Sequence, residues 1–305
     1  ERPNAVVAGS VLTYFIPKRC KDASKRKENE LLNRQDLANL LRCPETGNPL
    51  TGWNGTDAEA TLRTACGRTY QVVDGIPNLL PDALRTAEAP EDSTAREKRS
   101  EMAARDAQVG SYDQMMGLKL FTSFEVPKTL AFLDLQPAHI MLEGGCGTGR
   151  MTPAFVDACS AMVCVDFSRE SLRVAKTKLS PKQLGKVIFV QADLSMLPVA
   201  SDVFDRVGSF GVYEHIPTVA TRAGAIAHMA RVCKSKAAGG RFSMSAYRWG
   251  FPQSLFSERE GHHGGGIYFI RLTQAELRAD MEAHFKVEGF TESLLYYHLA
   301  WGHKK

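Results

Sequence analysis

The chain has 305 residues, 24% of them charged and 44% apolar, with a formal charge of +4. That length suits a full-sized enzyme domain plus a smaller module. The charge is too mild to argue for nucleic acid by itself, and no apolar run reaches the ~20 residues that span a bilayer. Seven scattered cysteines, an odd number, favour a reducing compartment over a disulfide scaffold. The expected location is intracellular, cytoplasmic or organellar after removal of a targeting peptide.

Residues 1–34 read as a basic tail. Its stretch "PKRCKDASKRKENE" is dense in Lys and Arg and poor in apolar residues, which suits a solvated segment or a nucleic-acid arm. Residues 35–81 form a small module. Leu37, Leu40 and Leu41 give it one apolar helical face, and heavy Pro and Gly punctuation predicts short strands and tight turns. Residues 82–110 lack aromatics and read as a linker or an exposed helix. From 111 to 305 strand-like and helix-like stretches alternate. The strands are "AHIMLE", "AMVCVD", "KVIFVQAD", "FDRVGSFG" and "GRFSMSAY", with helices expected at 168–179 and 218–234. This pattern predicts a parallel sheet covered by helices on both faces. Thr273 and Glu276 form a capping box that opens a late helix. Two nearly contiguous strands, 286–294 and 296–304, predict an antiparallel pair closing one edge.

Glu143 ends the first of these strands and precedes a loop in which Gly145, Gly147 and Gly149 alternate. The dinucleotide fingerprint is G-x-G-x-x-G, whereas this loop reads E-x-G-x-G-x-G. A bare backbone permits close approach by a ligand, and a carboxylate beside it suits a cation better than a pyrophosphate. Asp166 ends the second strand, about 20 residues after the first glycine, where a carboxylate can take ribose hydroxyls. Asp193 follows the third strand and could accept from an adenine amino group. Both aspartates could also cap the segments that follow them. S-adenosylmethionine has adenosine and positive charge but no phosphate.

The stretches "MLEGGCGTGR", "VCVDFS", "QADLSMLPVASDVFDRV" and "GVYEHI" follow one another in order and spacing. With them, residues 111–304 resemble a class I S-adenosylmethionine-dependent methyltransferase of the methyltransferase type 11 group. The resemblance implies an α/β fold with a doubly wound, Rossmann-like, mostly parallel seven-stranded sheet and an antiparallel edge strand. S-adenosylmethionine is the implied cofactor and S-adenosylhomocysteine the product. Glu143, Gly145 and Gly147 would line the methionine and ribose, Asp166 would bind the ribose diol, and Ala192 and Asp193 would hold adenine. Cys146, Phe167 and Leu194 belong to the same implied set. Phe210 and Tyr213 would sit near the methionine or the substrate mouth, or serve as core. Tyr112 resembles the aromatic that a leading helix lays over the cofactor.

Methyl transfer from a sulfonium is an in-line displacement, in which the protein positions the nucleophile and excludes water. A general base helps when the acceptor is a hydroxyl or a protonated amine. His215, Glu214 and His263 are the candidates, with His262 beside them. The "EHI" stretch could instead complete the cofactor pocket. The insert 248–270 is rich in aromatics, glycine and histidine, and its position suits an acceptor pocket for a small molecule, with Gly264–Gly266 letting it move as a lid. His262 and His263 make half a metal site without a third ligand, so no metal is expected. "FGVYEH" lacks the Asn/Asp-Pro-Pro-Tyr/Phe motif of enzymes that methylate exocyclic base amines or glutamine.

The small module, small and β-rich, resembles the zinc ribbon of the activator subunit shared by several RNA and protein methyltransferases. Cys43 and Cys66 stand in the pattern, while Thr46 and Arg63 replace the other two cysteines. Two thiolates do not hold structural zinc tightly. The implied module is therefore a degenerate ribbon held by Leu50, Tyr70, Val72, Ile76 and Leu79. It opens a second reading, an RNA methyltransferase that uses the module to bind RNA or a partner. A third is a regulatory protein that binds the cofactor without catalysis.

Overall fold

A computed structural model describes residues 33–85, 93–114 and 118–305. Residues 1–32 of the expected basic tail, and residues 86–92 of the expected linker, lie outside the described residues. The architecture is a large mixed sheet with a small sheet stitched to one edge.

The large sheet holds β4 (Ile140–Gly144), β5 (Ala161–Asp166), β6 (Val187–Gln191), β7 (Arg206–Phe210), β8 (Arg241–Tyr247), β11 (Phe285–Ser293) and β12 (Tyr297–Lys304). Its order is β11-β12-β8-β7-β4-β5-β6. Strands β4 to β8 run parallel, and β12 runs antiparallel between β8 and β11. Every residue of β5 and β6 is buried, which is why they read as unbroken apolar runs rather than alternating ones. Helices α5 (Thr152–Ala158), α6 (Arg169–Thr177), α7 (Pro181–Leu184), α8 (Val219–Val232) and α9 (Gln274–Glu282) fill the crossovers. The sheet is doubly wound and Rossmann-like, so its ligand-binding crevice lies beyond the carboxyl ends of the parallel strands. Thr273 caps α9 through the full box with Glu276.

The hairpin between β11 and β12 closes through Tyr296 N–H to Ser293 O at 2.9 Å. Its central residues, Leu294 (φ 49°) and Leu295 (φ 57°), are both left-handed, and both side chains are exposed.

In the small module, α1 (Arg34–Ala38) precedes a three-stranded antiparallel sheet of β1 (Ala60–Arg63), β2 (Thr69–Val73) and β3 (Ile76–Pro77). Leu50, Tyr70, Val72, Ile76 and Leu79 are buried. Cys43 is buried with its Sγ 3.0 Å from the Tyr70 hydroxyl, but Cys66 is exposed and lies beside Thr64. The module extends the edge at β6, where Leu79 N–H donates to Gln191 O at 2.8 Å. Arg173 and Arg169 of α6 reach the β2–β3 turn, at Asp74 and the Val73 carbonyl. An open sheet edge is thereby covered.

Two more helices stand before the large sheet, after the short α2 (Asp82–Arg85). Helix α3 spans Ser93–Tyr112 and α4 spans Leu118–Leu133. The stretch 93–110, expected as a linker or an exposed helix, is thus helical throughout.

Candidate functional site

The glycine loop follows directly from β4. Gly145 N–H and Cys146 N–H both donate to Val165 O, at 2.7 and 3.0 Å, which pins the loop to β5. Gly145 has φ +71°, and a Cβ there would sit 2.4 Å from Val212 Cγ2. Only glycine meets both demands. Gly147 differs: its φ is +52°, yet a Cβ would meet no protein atom within 4 Å. Its backbone faces open space at the cavity.

Acidic side chains end the strands around this loop. Glu143 is 3% exposed, and its Oε2 accepts from Thr152 Oγ1 at 2.7 Å. Burial pushes its carboxyl up to about 7, against the pull of the Thr152 hydroxyl and the Arg150 guanidinium. Asp166 accepts from Gly147 N–H at 2.8 Å and from Ser168 N–H at 2.9 Å. Burial raises its pKa although both backbone donors oppose it. Asp193 accepts from Ser195 N–H at 2.8 Å. Both aspartates therefore cap the turns that follow them and also line the cavity.

Helix α3 lies across the cavity mouth and contributes Glu97, Lys98, Glu101, Arg105, Gln108 and Val109 to the lining. Polar contacts seat it. Lys98 Nζ is 2.5 Å from Asp193 Oδ2 and 2.8 Å from Ser195 Oγ. Ser168 Oγ donates to Asp106 at 2.5 Å. Beyond the helix end, Asp113 takes Thr148 Oγ1 at 2.8 Å and Lys178 Nζ at 2.5 Å. The sequence signal for this wall was faint, because α3 has no apolar stripe to mark a buried face.

Beyond β7, residues 213–215 form a single helical turn. His215 lines the cavity, and its Nδ1 lies 2.7 Å from Tyr268 O. A carbonyl only accepts, so Nδ1 carries the proton and Nε2 presents a lone pair. Burial and the Arg105 charge hold the ring's pKa well below the ordinary histidine value. Tyr213 turns away from the cavity and donates to Asp280 Oδ2 at 2.9 Å. Of its two expected placements, near the substrate mouth or in the core, Tyr213 takes the core.

The structure brings eleven of the anticipated residues into one cavity: Glu143, Gly145, Cys146, Gly147, Asp166, Phe167, Ala192, Asp193, Leu194, Phe210 and His215. Glu214 and His263 are not among its lining residues. Glu214 is fully buried, and neither carboxylate oxygen meets a donor from another residue. Burial lifts its pKa to about 8. His263 stacks on Phe269 at 4.4 Å and meets His215 edge-on at 5.8 Å, with Tyr247 touching both. The side chain of Tyr112 lies outside the described residues. Among the described residues no three His, Cys, Asp or Glu side chains form a metal cluster, and no helix is long and apolar enough to cross a membrane.

Residues 142–242 match the family model of a methyltransferase domain. Methyltransferase GfsG of Streptomyces halstedii is 32% identical over 115 residues, which cover 37% of this chain and 39% of that protein. The chain therefore aligns with well under half of that relative's length. The mitochondrial protein preY of Mus musculus is 31% identical over 97 residues, 32% of this chain and 85% of that protein. Among solved structures, the 1,6-didemethyltoxoflavin-N1-methyltransferase of Burkholderia thailandensis, with 1,6-didemethyltoxoflavin and S-adenosylhomocysteine bound, superimposes with a TM-score of 0.51. The identity is 19%, covering 72% of this chain and 93% of that one. That likeness is one of fold.

Proposed function

We propose that this chain, which belongs to one family with protein preY and carries a methyltransferase domain, moves the methyl group of S-adenosylmethionine to a small-molecule acceptor. Residues 142–242 are a methyltransferase domain of the class I, S-adenosylmethionine-dependent kind. The observation that carries the cofactor reading is the cavity's set of acceptors. Three buried carboxylates, Glu143, Asp166 and Asp193, ring a loop whose Gly147 leaves open space. That set suits ribose hydroxyls, an adenine amino group and a cationic amino acid, and it disfavours phosphate.

The cofactor supplies an electrophilic methyl group on a sulfonium. The chain's residues do the rest. Asp166 holds the ribose diol, while Ala192 and Asp193 take the adenine edge. Gly145, Cys146, Gly147 and Glu143 receive the amino-acid end, and Phe167, Leu194 and Phe210 give the apolar walls. Helix α3 excludes water from above. His215 receives the acceptor's proton at Nε2, a role supported by the hydrogen bond that fixes Nδ1–H on Tyr268 O.

The aromatic insert around Tyr247, His263 and Phe269 supports a small acceptor, as does the mild net charge. The 35–81 module is read as a ribbon without its metal, because Thr46 stands where a thiolate would complete the set with Cys43. A labelled-methyl screen against metabolite and RNA pools tests the whole reading. Label in small molecules, abolished by His215→Gln with S-adenosylmethionine affinity retained, is the expected result. Label in RNA alone overturns the acceptor class.

A further inference from the structure

The cofactor-covering helix and the proposed base are not in direct contact in the sequence or along one element. They are joined through one residue of the insert. Strands β9 (Glu260–His262) and β10 (Tyr268–Ile270) pair antiparallel, with Tyr268 opposite His262. The flanking hydrogen bonds run from His263 N–H to Ile267 O and from Arg271 N–H to Arg259 O. By the alternation of an antiparallel ladder, Tyr268 is a non-hydrogen-bonded position, so its own N–H and C=O point out of the hairpin.

Both outward groups are taken by cavity residues. Tyr268 N–H donates to Glu101 Oε2 of α3 at 3.3 Å. Tyr268 O accepts from His215 Nδ1 at 2.7 Å. The other carboxylate oxygen of Glu101 is held by Arg105 Nε at 2.9 Å. Glu101, Arg105 and His215 all line the cavity. One strand position therefore receives α3 on one side and the imidazole on the other.

We propose that Glu101 is a positioning residue, tying helix α3 through the backbone of Tyr268 to the orientation and tautomer of His215. The proposal rests on the reading of His215 as the base. Its physical content is narrow. An imidazole whose Nδ1 loses a fixed carbonyl partner samples both neutral tautomers, and only one presents Nε2 as acceptor. When the cofactor fills the cavity beneath α3, any shift of that helix is felt at Glu101 first and at His215 next.

The test uses the full chain labelled with nitrogen-15 in histidine, observed by long-range proton–nitrogen correlation with and without saturating S-adenosylhomocysteine. In the wild type, His215 should show one tautomer, protonated at Nδ1, and its ring signals should move on ligand addition. Glu101→Ala should give a mixture of tautomers and at least halve that ligand-induced shift. Glu101→Met, which keeps the bulk without an acceptor, should do the same and serves if the alanine variant fails to fold. Glu101→Gln, which can still accept through its carbonyl, should restore the wild-type pattern. Unchanged His215 signals in both the alanine and methionine variants would overturn the coupling while leaving the base intact. Full turnover by His215→Gln would remove the base while leaving the coupling intact.

Discussion

The two walls of the cavity are built on opposite principles. The floor is the glycine loop and the strand ends, seated on strands whose residues are buried throughout. The roof is helix α3, with Ala95 buried and Met102 packed on a small apolar cluster, held otherwise by ion pairs and hydrogen bonds. An apolar core resists rearrangement, while polar contacts near a cavity mouth exchange with water at little net cost. The floor is thus held by buried packing and the roof by polar contacts.

Substitutions in the floor should therefore be severe and those in the roof slight. The largest effect is expected for Gly145→Ala, which forces a left-handed alanine against Val212. S-adenosylmethionine affinity by calorimetry should fall on the order of 100-fold, or about 2.7 kcal/mol. An unchanged affinity would mean that the loop does not shape the ligand. Asp166→Ala should come next, with a loss of roughly 10- to 100-fold, while Asp157→Ala, an exposed residue of α5, should bind as the wild type does. Equal affinities for the two variants would dismiss the ribose assignment.

Glu143 carries a pH signature. Its pKa stands near 7 because burial favours the neutral form. A cationic ligand needs the carboxylate, so affinity should rise with pH through that value, by about tenfold between pH 6 and 8. Glu143→Gln should flatten the profile. The sign for the empty protein is the reverse. The folded state keeps a proton that the unfolded chain releases, so this group's contribution to stability falls as pH climbs from the ordinary glutamate range through about 7. The smallest effect is expected in the roof. Lys98→Met removes the ion pair of Asp193, which keeps the Ser195 N–H and hydroxyl as donors, and should shift S-adenosylmethionine affinity by about threefold or less. A tenfold loss would show that Lys98 contacts the ligand instead of covering its site.

The same contrast explains what the sequence discloses. Glu143, Gly145, Gly147, Asp166 and Asp193 are legible because local chain geometry dictates them. Glycines sit where φ is positive, and carboxylates sit where a strand ends and a turn begins. The alternation of strand and helix is legible because the inner strands β5 and β6 are nearly unbroken apolar runs. Lys98 and Glu101 are opaque because they meet Asp193 and Tyr268 through folding of distant segments. A polar helix in isolation looks the same whether it is solvated or latched over a site. The chemistry of His263 and Glu214 suits a base, but packing alone decides that one stacks on Phe269 and the other is sealed from the cavity.

The Leu294–Leu295 turn holds a lesson for anyone who would engineer this protein. Two left-handed leucines cost roughly 1–2 kcal/mol apiece compared with glycine or asparagine, and the turn that carries them prefers Asn-Gly. An L294N/L295G chain is therefore a ready route to a hardier protein. Because the hairpin ends beside Tyr296 and Tyr297, whose rings meet Phe121 and Tyr247 tilted or edge-on, that chain also asks what the native leucines do. A gain in Tm with turnover intact would mark them as drift. A gain in Tm with turnover lost would mark them as apolar surface that natural selection has kept at the expense of durability.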